Sequence, residues 1–394
     1  MQRLFSAFTP QNYTIWAEEA IKVAKITDLK TLYTPTYEGI VLEPFYNAEN
    51  QSKTIETPIK KNNQWLYFEY LYLNDFEKLQ AQSQEAFKKS ADGLIFESNI
   101  DNEVLLKLMT NTNFKNIEVK RKKNQLEEKF LTKIDTAFPW IKIIIDTENS
   151  KDFRESIEII SPYKNIGVRI IEGNFWGNKG ANAVQSLAFG LSAWVESLDI
   201  FTEKNNSEKK ISNCQIGINI NENYFMEMAK IRALRILTTK ILETYHSKID
   251  INILSLTQKQ NLTNIDEYNN LLRLTTEAMA GILGGTDGLC ILPYQFDDKI
   301  EFSAQISRNI SHLLRFESYL DKVTDAAKGS YYIESLTTQL TEKSFELFLT
   351  IEKMGGYSNA YSFIESETKK MQEQKEKDFQ EGKKIVVGVN KYQK

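Results

Sequence analysis

Eight short apolar segments recur along this 394-residue sequence, and a stretch with helical spacing separates each segment from the next. Most of them are rich in isoleucine, valine or leucine, as strands buried on both faces tend to be. Strands that alternate with helices predict a parallel sheet, and eight repeats favour a closed (β/α)8 TIM barrel over the open sheet that fewer strands would allow. The predicted strands are Trp65–Leu73, Asp92–Glu97, Asn116–Lys120, Trp140–Asp146, Gly167–Gly173, Gln215–Ile220, Ile249–Leu254 and Asp287–Pro293.

The stretches between the strands have the periodicity of amphipathic helices. The clearest is Asn221–Tyr245, where apolar side chains recur at helical spacing from Phe225 to Leu237. This spacing puts them on one face of a helix that can pack on the sheet. The other predicted helices are Asp75–Ser90, Asn102–Thr110, Asn124–Phe138, Asp152–Tyr163, Asn178–Thr202, Asn264–Gly284 and one from Phe302 onward.

Two regions lie outside this barrel pattern. Residues 1–62 hold one predicted helix, Tyr13–Ala24, and then an extended polar stretch, which together predict an arm that wraps a surface. Residues 63–394 hold the barrel and a helical extension, in which two long helices between about Leu336 and Glu381 are separated by Gly355–Gly356. We therefore expect a TIM barrel with an N-terminal extended arm and C-terminal helices.

Composition argues against several classes of protein. The formal net charge is -4 and both signs are spread along the chain, so nucleic acid is not an expected partner. No apolar run approaches the roughly 18 residues of a membrane span, and Met1–Pro10 lacks the pattern of a signal peptide. Cys214 and Cys290 lie in or beside apolar segments and are expected to be buried thiols. These features predict a cytoplasmic protein without membrane contact.

In a barrel of this type, catalytic groups lie at the carboxyl ends of the strands. The two histidines, His246 and His312, do not follow a predicted strand, so neither a histidine general acid nor a histidine-rich metal site is expected. Asp146 and Glu172 do end strands, and each either serves as an acid or binds the amino terminus of the next helix. The residues by themselves thus predict a barrel without an evident reaction centre.

The segment Gly173–Gly180, with the sequence GNFWGNKG, combines two aromatic residues with glycines and asparagines at a strand end. Three interpretations remain open for it: a ligand pocket, a subunit contact, or core packing of Phe175 or Trp176. The sequence alone does not decide between them.

Blocks of sequence over almost the whole chain occur in one order that resembles the methylmalonyl-CoA mutase family. The most specific is FMEMAKIRALRIL at Phe225–Leu237, which is close to the F-EIAK-RA-R helix of that family. The resemblance implies a TIM barrel. The other blocks are Tyr37–Ile40 with Pro44 and Tyr46, Gly180–Asp199, Asn269–Leu289, Ser307–Ser318, Gly329–Thr337, Ile351–Gly356 and Gly382–Tyr392.

The resemblance also implies which catalytic residues are missing. Active members carry a tyrosine–histidine pair shortly before the GA that starts the helix at Gly180–Ala181, and the histidine hydrogen-bonds the thioester carbonyl of the migrating group. The aligned positions here are Asn174 and Phe175. Because phenylalanine cannot donate that hydrogen bond, the comparison predicts no catalytic residue at this place.

Three further departures from the family pattern agree with this prediction. Lys60–Trp65, KKNNQW, runs directly into the first strand where active members have a tyrosine-bearing block, and Cys290–Leu292 replaces the HTN segment of the eighth strand. The cobalamin motif D-x-H-x-x-G does not occur in the sequence, which ends at Lys394 shortly after GVNKY. The resemblance therefore implies no cobalamin-binding domain and no cofactor or metal bound by this chain.

Together these departures resemble the small (beta) subunit of heterodimeric members of the family. The resemblance implies a non-catalytic chain that stabilises a catalytic large (alpha) subunit, with adenosylcobalamin on that partner and methylmalonyl-CoA and succinyl-CoA as the isomerised pair. Candidate docking elements are residues 1–60 and the segment Asn174–Lys179.

Two alternatives remain open. One is an active substrate-binding subunit of a split acyl-CoA mutase that uses a separate cobalamin-binding protein. The other is an acyl-CoA-binding module outside any mutase. In that case Arg169, Arg232 and Arg273 would meet phosphates, although each is equally placed to pair with acids on the barrel exterior.

Overall fold

Eight parallel strands close into a barrel in the structure, which is a computed structural model. It describes residues 11–49, 55–60, 62–72, 75–114, 116–146, 149–204, 208–295 and 300–393. Each barrel strand pairs with the next along the chain, and the last strand closes the barrel on the first. The TIM-barrel prediction is confirmed. The strands are β1 (Thr34–Pro35) and β2 (Val41–Leu42) in the arm and, in the barrel, β3 (Leu66–Leu71), β4 (Gly93–Phe96), β5 (Ile117–Arg121), β6 (Ile141–Ile145), β7 (Gly167–Ile170), β8 (Cys214–Ile220), β9 (Ile253–Thr257) and β10 (Gly288–Cys290).

Every predicted strand overlaps a barrel strand, but several boundaries were wrong. The strand predicted at Asp287–Pro293 covers only Gly288–Cys290. The strand predicted at Ile249–Leu254 begins only at Ile253, because the backbone oxygen of Asn252 accepts a hydrogen bond at 2.9 Å from the Arg169 guanidinium. The strand predicted at Gly167–Gly173 ends at Ile170, since the chain turns into a short helix at Glu172.

The helices surround the barrel, and most of them follow a strand. The helix predicted at Asn178–Thr202 begins only at Ala183. A short helix, Glu172–Asn178, precedes it, and Gly180, whose φ is +110°, lies between the two. Among the described residues, no helix is both long and apolar enough to cross a membrane. The helices are α1 (Tyr13–Ala24), α2 (Phe76–Lys88), α3 (Asn102–Thr110), α4 (Glu128–Ala137), α5 (Ser150–Ile160), α6 (Glu172–Asn178), α7 (Ala183–Lys204), α8 (Glu208–Asn213), α9 (Tyr224–Thr244), α10 (Asn269–Leu283), α11 (Ile300–Phe316), α12 (Tyr331–Lys353) and α13 (Tyr361–Gln380).

The strands divide the apolar side chains between two cores. In β6, for example, Ile141, Ile143 and Ile145 join the large core under the helices, whereas Ile144 joins a smaller core inside the barrel. This division follows from the alternation of side chains along a strand. The inner core consists of Phe68, Tyr70, Ile95, Ile144, Ile171, Leu254, Leu256, Cys290 and Leu292.

The arm that precedes the barrel contacts the rest of the chain mainly after its first helix. Helix α1 spans its predicted residues but has no buried side chain, and its Trp16 ring stacks on Phe45 at 4.7 Å between centroids. Further along, Ile40 is fully buried, and the backbone oxygen of Tyr37 accepts a hydrogen bond at 2.7 Å from the Asn182 amide. The arm is therefore fixed near the start of α7, while α1 packs on no part of the main core.

Candidate functional site at the barrel mouth

Three polar side chains meet at the carboxyl ends of β3, β4 and β5, where a barrel of this fold holds its chemistry. The Tyr70 hydroxyl contacts both the Glu97 carboxylate and the Lys120 ammonium, and Lys120 Nζ lies 3.2 Å from Glu97 Oε1. The side chains of Lys120 and Glu97 are only 18% and 25% exposed. The hydroxyl and the two charged groups of this trio therefore bind one another.

Below the trio, apolar side chains fill the barrel. The rings of Tyr70 and Tyr72 lie 4.3 Å apart, and Cys290 and Leu292 are buried beside them. Burial raises the pKa of the Cys290 thiol well above its usual range, so it stays protonated and unreactive at neutral pH. Cys214 is also buried and free, and the prediction of buried thiols is confirmed.

An ion pair crosses the interior near the amino end of the barrel. The Arg169 guanidinium on β7 donates to Glu118 on β5, with Nη2 and Oε1 2.6 Å apart and both side chains almost fully buried. Its Nη1 donates to the backbone oxygens of Ile216 and Asn252 at 3.0 and 2.9 Å. The expected exterior position of Arg169 was wrong, because a contact that passes β6 to reach β5 runs through the barrel.

The Asn174–Phe175 pair lies on α6, so the segment Gly173–Gly180 is helical for most of its length. The Asn178 amide donates to the backbone oxygen of Asn174 at 3.0 Å, and the Phe175 ring lies 4.3 Å below the Lys179 ammonium. Phe175 is partly buried against the core, and Trp176 is fully buried. Core packing is thus the interpretation that holds for Trp176.

Glu172 begins α6 and belongs to a buried network that the sequence did not indicate. The Tyr357 hydroxyl donates to Glu172 Oε2 at 2.7 Å and accepts from the Trp176 indole at 3.1 Å. Burial raises the pKa of Glu172 to about 7. The carboxylate thereby ties the start of α6 to the turn between α12 and α13.

The other candidate groups do not converge on the mouth. Asp146 follows β6 and is partly buried, whereas His246 is exposed after α9 and His312 lies on α11. Arg232 pairs with Asp325 and with Glu334, the latter at 2.9 Å. The Arg273 guanidinium donates to Asn270 and to the backbone oxygen of Val387. Within the described residues, no group of three or more His, Cys, Asp or Glu side chains is placed to hold a metal ion.

Lys60–Trp65, which contains one residue outside the described ranges, lies at the opposite end of the barrel. Lys60 Nζ donates to the backbone oxygen of Thr286 at 2.7 Å and lies 3.4 Å from Asp287, just before β10. Burial lowers the pKa of Lys60, and Asp287 partly opposes that shift. This segment therefore anchors the arm to the floor of the barrel, away from the mouth.

Sequence reasoning missed two buried acidic sites beside α9 and α10. Glu227 and Lys230 form an ion pair at 2.5 Å with both side chains almost fully buried, and Asn261 donates to Glu277 Oε1 at 2.9 Å. Burial raises the pKa of Glu277 to about 8. The available signal was the presence of charges on otherwise apolar helix faces, such as the i, i+3 pair in FMEMAK.

Comparison with known proteins gives one consistent family. The family model described as methylmalonyl-CoA mutase matches residues 159–394. The methylmalonyl-CoA mutase small subunit of Porphyromonas gingivalis is 26% identical over 405 residues, which cover 91% of this chain and 66% of that protein.

Two further relatives match over shorter stretches. The methylmalonyl-CoA mutase of Rhizobium meliloti is 34% identical over 237 residues, covering 56% of this chain and 32% of that protein. The methylmalonyl-CoA mutase large subunit of P. gingivalis is 35% identical over 186 residues, covering 44% of this chain and 25% of that protein. The match thus spans about two thirds of the small subunit and a third or less of the other two.

Proposed function

This chain belongs to the methylmalonyl-CoA mutase family, and we propose that it serves there as a non-catalytic small subunit. In this proposal it stabilises a catalytic large subunit, which holds adenosylcobalamin and isomerises methylmalonyl-CoA and succinyl-CoA. The separate small and large subunits of P. gingivalis, both similar to this chain, support a partner of that kind.

The observation that carries the proposal is the filled barrel mouth. Pockets that enclose a small molecule usually measure about 300 Å³ or more and present a few free polar groups. Here Tyr70, Glu97 and Lys120 bind one another above an apolar core. Cavities of about 180 and 200 Å³ are present, but they lie on the outer helices and at the amino end of the barrel.

The groups nearest the mouth are also poor catalysts. Phe175 has no proton to donate, and the Cys290 thiol is buried and protonated. Glu172, which follows β7, has a raised pKa, but the Tyr357 hydroxyl binds its carboxylate in a fully buried position. General acid catalysis needs a group within hydrogen-bond reach of the substrate, and Glu172 does not offer this.

The arm supports the part of the proposal that concerns a partner. Helix α1 has apolar side chains but buries none of them, and Ile15 and Val23 are 45% and 75% exposed. A short helix with so little packing gains little stability from its own chain. Contact with the large subunit would bury these side chains, so we assign α1 to that interface.

Reconstitution tests the proposal. The chain is purified alone and together with its large subunit, and mutase turnover is measured with added adenosylcobalamin. We expect turnover only when the large subunit is present. Turnover by the isolated chain would contradict the proposal. Activity restored by a small cobalamin-binding protein alone would instead support the split-mutase alternative.

A further inference from the structure

Lys142, the second residue of β6, points into the floor of the barrel. Side chains two residues apart on a strand share a face, and Ile144 of the same strand belongs to the inner core. Lys142 pairs in register with Glu118 on β5 and with Gly167 on β7. A Cβ atom at Gly167 would lie 3.0 Å from Lys142 Cγ, so this glycine leaves the space that the lysine stem occupies.

The charged neighbours of Lys142 are the two members of the interior ion pair. The bridge from Arg169 on β7 to Glu118 on β5 passes Lys142, because β6 lies between these strands. Burial lowers the pKa of Lys142, while Glu118 partly opposes this shift and Arg169 adds to it. Lysines that act as nucleophiles have surroundings of this kind, in which the amine is desolvated and lies near a second cation.

Lys142 differs from two other buried lysines in the bonding of its side-chain nitrogen. The pKa values of Lys60 and Lys375 are also lowered by burial, but both ammonium groups donate hydrogen bonds to backbone oxygens, at 2.7 and 2.9 Å. Within the described residues Lys142 forms no hydrogen bond or ion pair, and its neighbours act on it only through their charges. Hydrogen bonds stabilise the ammonium form, so of these three lysines Lys142 has the most available amine lone pair.

The side chain of Lys142 is also open to reagents in solution. It is partly exposed and lies near the amino end of β6, at the floor of the barrel. The trio of Tyr70, Glu97 and Lys120 closes the opposite end. A reagent therefore reaches this amine without passing through the filled mouth.

We propose that Lys142 is an acylation site, whose amine accepts the acyl group of an acyl-CoA thioester from solution. The neutral amine attacks the thioester carbonyl carbon, and the N–C bond forms as the C–S bond breaks. CoA leaves as the thiol with the proton that the amine loses. The product is an amide, so the positive charge of Lys142 disappears from the floor.

This reaction is bimolecular and needs no complex at the mouth. The choice of a CoA thioester rests on the proposed function, which places this chain beside such compounds. The selectivity for Lys142 rests on its surroundings alone, so the two parts are tested with different reagents.

Peptide mapping of the full chain after brief treatment with succinyl-CoA tests the proposal. Near neutral pH we expect Lys142 to be acylated at least about tenfold faster than the exposed Lys369 or the hydrogen-bonded Lys375. Each unit by which a pKa falls gives about tenfold more neutral amine. Trace acetic anhydride, a small reagent without CoA, should show the same preference.

Two further measurements show that the reactivity comes from the folded environment. The acylation rate of Lys142 should level off at a lower pH than that of a lysine in a short peptide, and its preference over Lys369 should disappear in urea. Lys142→Arg keeps the charge and should remove the fast site while the rate at Lys369 stays the same. Circular dichroism checks that this variant folds.

Equal rates at Lys142 and Lys369 in the folded chain would overturn the proposal, and so would a pH profile that matches the peptide. Preference for Lys142 with the anhydride but not with succinyl-CoA would also overturn it, because the thioester would then not be the acyl donor. Reconstitution with the large subunit is measured separately. A chain that supports turnover but has no fast site would refute this proposal alone, whereas fast acylation in a chain that binds no large subunit would refute only the proposed function.

Discussion

At the scale of single residues, the interior of this barrel contains two pairs of opposite charges. Arg169 and Glu118 cross it near one end, and Lys120 and Glu97 close it at the other. Charges buried in this way cost free energy unless each has a partner, so the pairs fix the relative positions of the strands that carry them. The residues that could have bound a substrate bind one another.

Breaking the more deeply buried pair, Arg169–Glu118, should lower the free energy of unfolding. Arg169→Met leaves Glu118 buried without its bidentate partner, and we expect the free energy of unfolding to fall by about 3 kcal/mol or more. Urea denaturation measures the change. In the double variant Arg169→Met with Glu118→Leu, much of this loss should be recovered. Equal losses in the single and double variants would show that the pair is not coupled.

Glu277 provides a prediction of pH dependence. Its folded pKa of about 8 lies above the usual value, so the folded state binds a proton more tightly than the unfolded chain. Stability from this group is therefore complete below about pH 4.5 and is lost as the pH rises towards 8. Glu277→Gln should stabilise the protein relative to wild type at pH 8 but much less at pH 5. An equal effect at both values would contradict the assignment.

At the scale of elements, the junction between α6 and α7 shows how packing sets a boundary. Sequence periodicity placed the start of α7 at Asn178, but Gly180 has a φ of +110° and the Lys375 ammonium donates to its backbone oxygen at 2.9 Å. A side chain added at Gly180 would come within 2.8 Å of Gln372 Cβ on α13. The junction therefore needs glycine for two reasons, its backbone conformation and the closeness of α13.

Gly180→Ala tests this reasoning. We expect the free energy of unfolding to fall by about 1–3 kcal/mol, because alanine is strained at positive φ and contacts Gln372. Adding Gln372→Gly removes the contacting Cβ and leaves the backbone strain at residue 180, so part of the loss, measured against Gln372→Gly alone, should remain. Thermal unfolding of the two variants separates these effects, and complete rescue by the second substitution would contradict a backbone origin.

The arm helix gives a prediction about assembly. Ile15→Glu and Val23→Glu place charges on exposed apolar positions of α1, so they should leave the fold intact but weaken binding to the large subunit by at least about tenfold. Surface plasmon resonance measures the affinity. Leu349→Glu is the matched control, since Leu349 is 40% exposed on α12, outside both candidate docking elements. Equal effects of all three substitutions would remove the special role of α1.

At the scale of the whole molecule, the fold has the framework of an enzyme barrel while its mouth is closed. The closure combines the trio at the ends of β3 to β5 with the apolar core beneath it. A filled barrel of this kind can still present outer helices and an arm to other chains. A barrel that keeps its outer surfaces while its mouth is filled agrees with the stabilising role that we propose for this chain.

Isothermal calorimetry tests the closed mouth directly. Methylmalonyl-CoA and succinyl-CoA should give no heat of binding with the isolated chain, because Tyr70, Glu97 and Lys120 at the strand ends bind one another above an apolar core. The large subunit serves as the positive control in the same buffer. Saturable heat from the isolated chain would contradict the interpretation and would favour the acyl-CoA-binding alternative.

The barrel, most of its helices and its family could be read from the sequence. Strand and helix periods are local properties of the chain, and the conserved order of blocks such as Phe225–Leu237 needs no structure to be seen. The same comparison identified Asn174 and Phe175, but it did not show that Trp176 beside them would be the buried anchor of α6.

Tertiary structure alone decided which polar groups meet. Alternation along a strand predicts which side chains point inward, but the partner of Arg169 lies 51 residues away on β5, which faces β7 across the interior only when the sheet curves into a barrel. The start of β9 moved for the same reason, since Arg169 also binds the Asn252 carbonyl. Short-range patterns therefore determined the elements, and closure of the barrel determined the contacts that fill its mouth and floor.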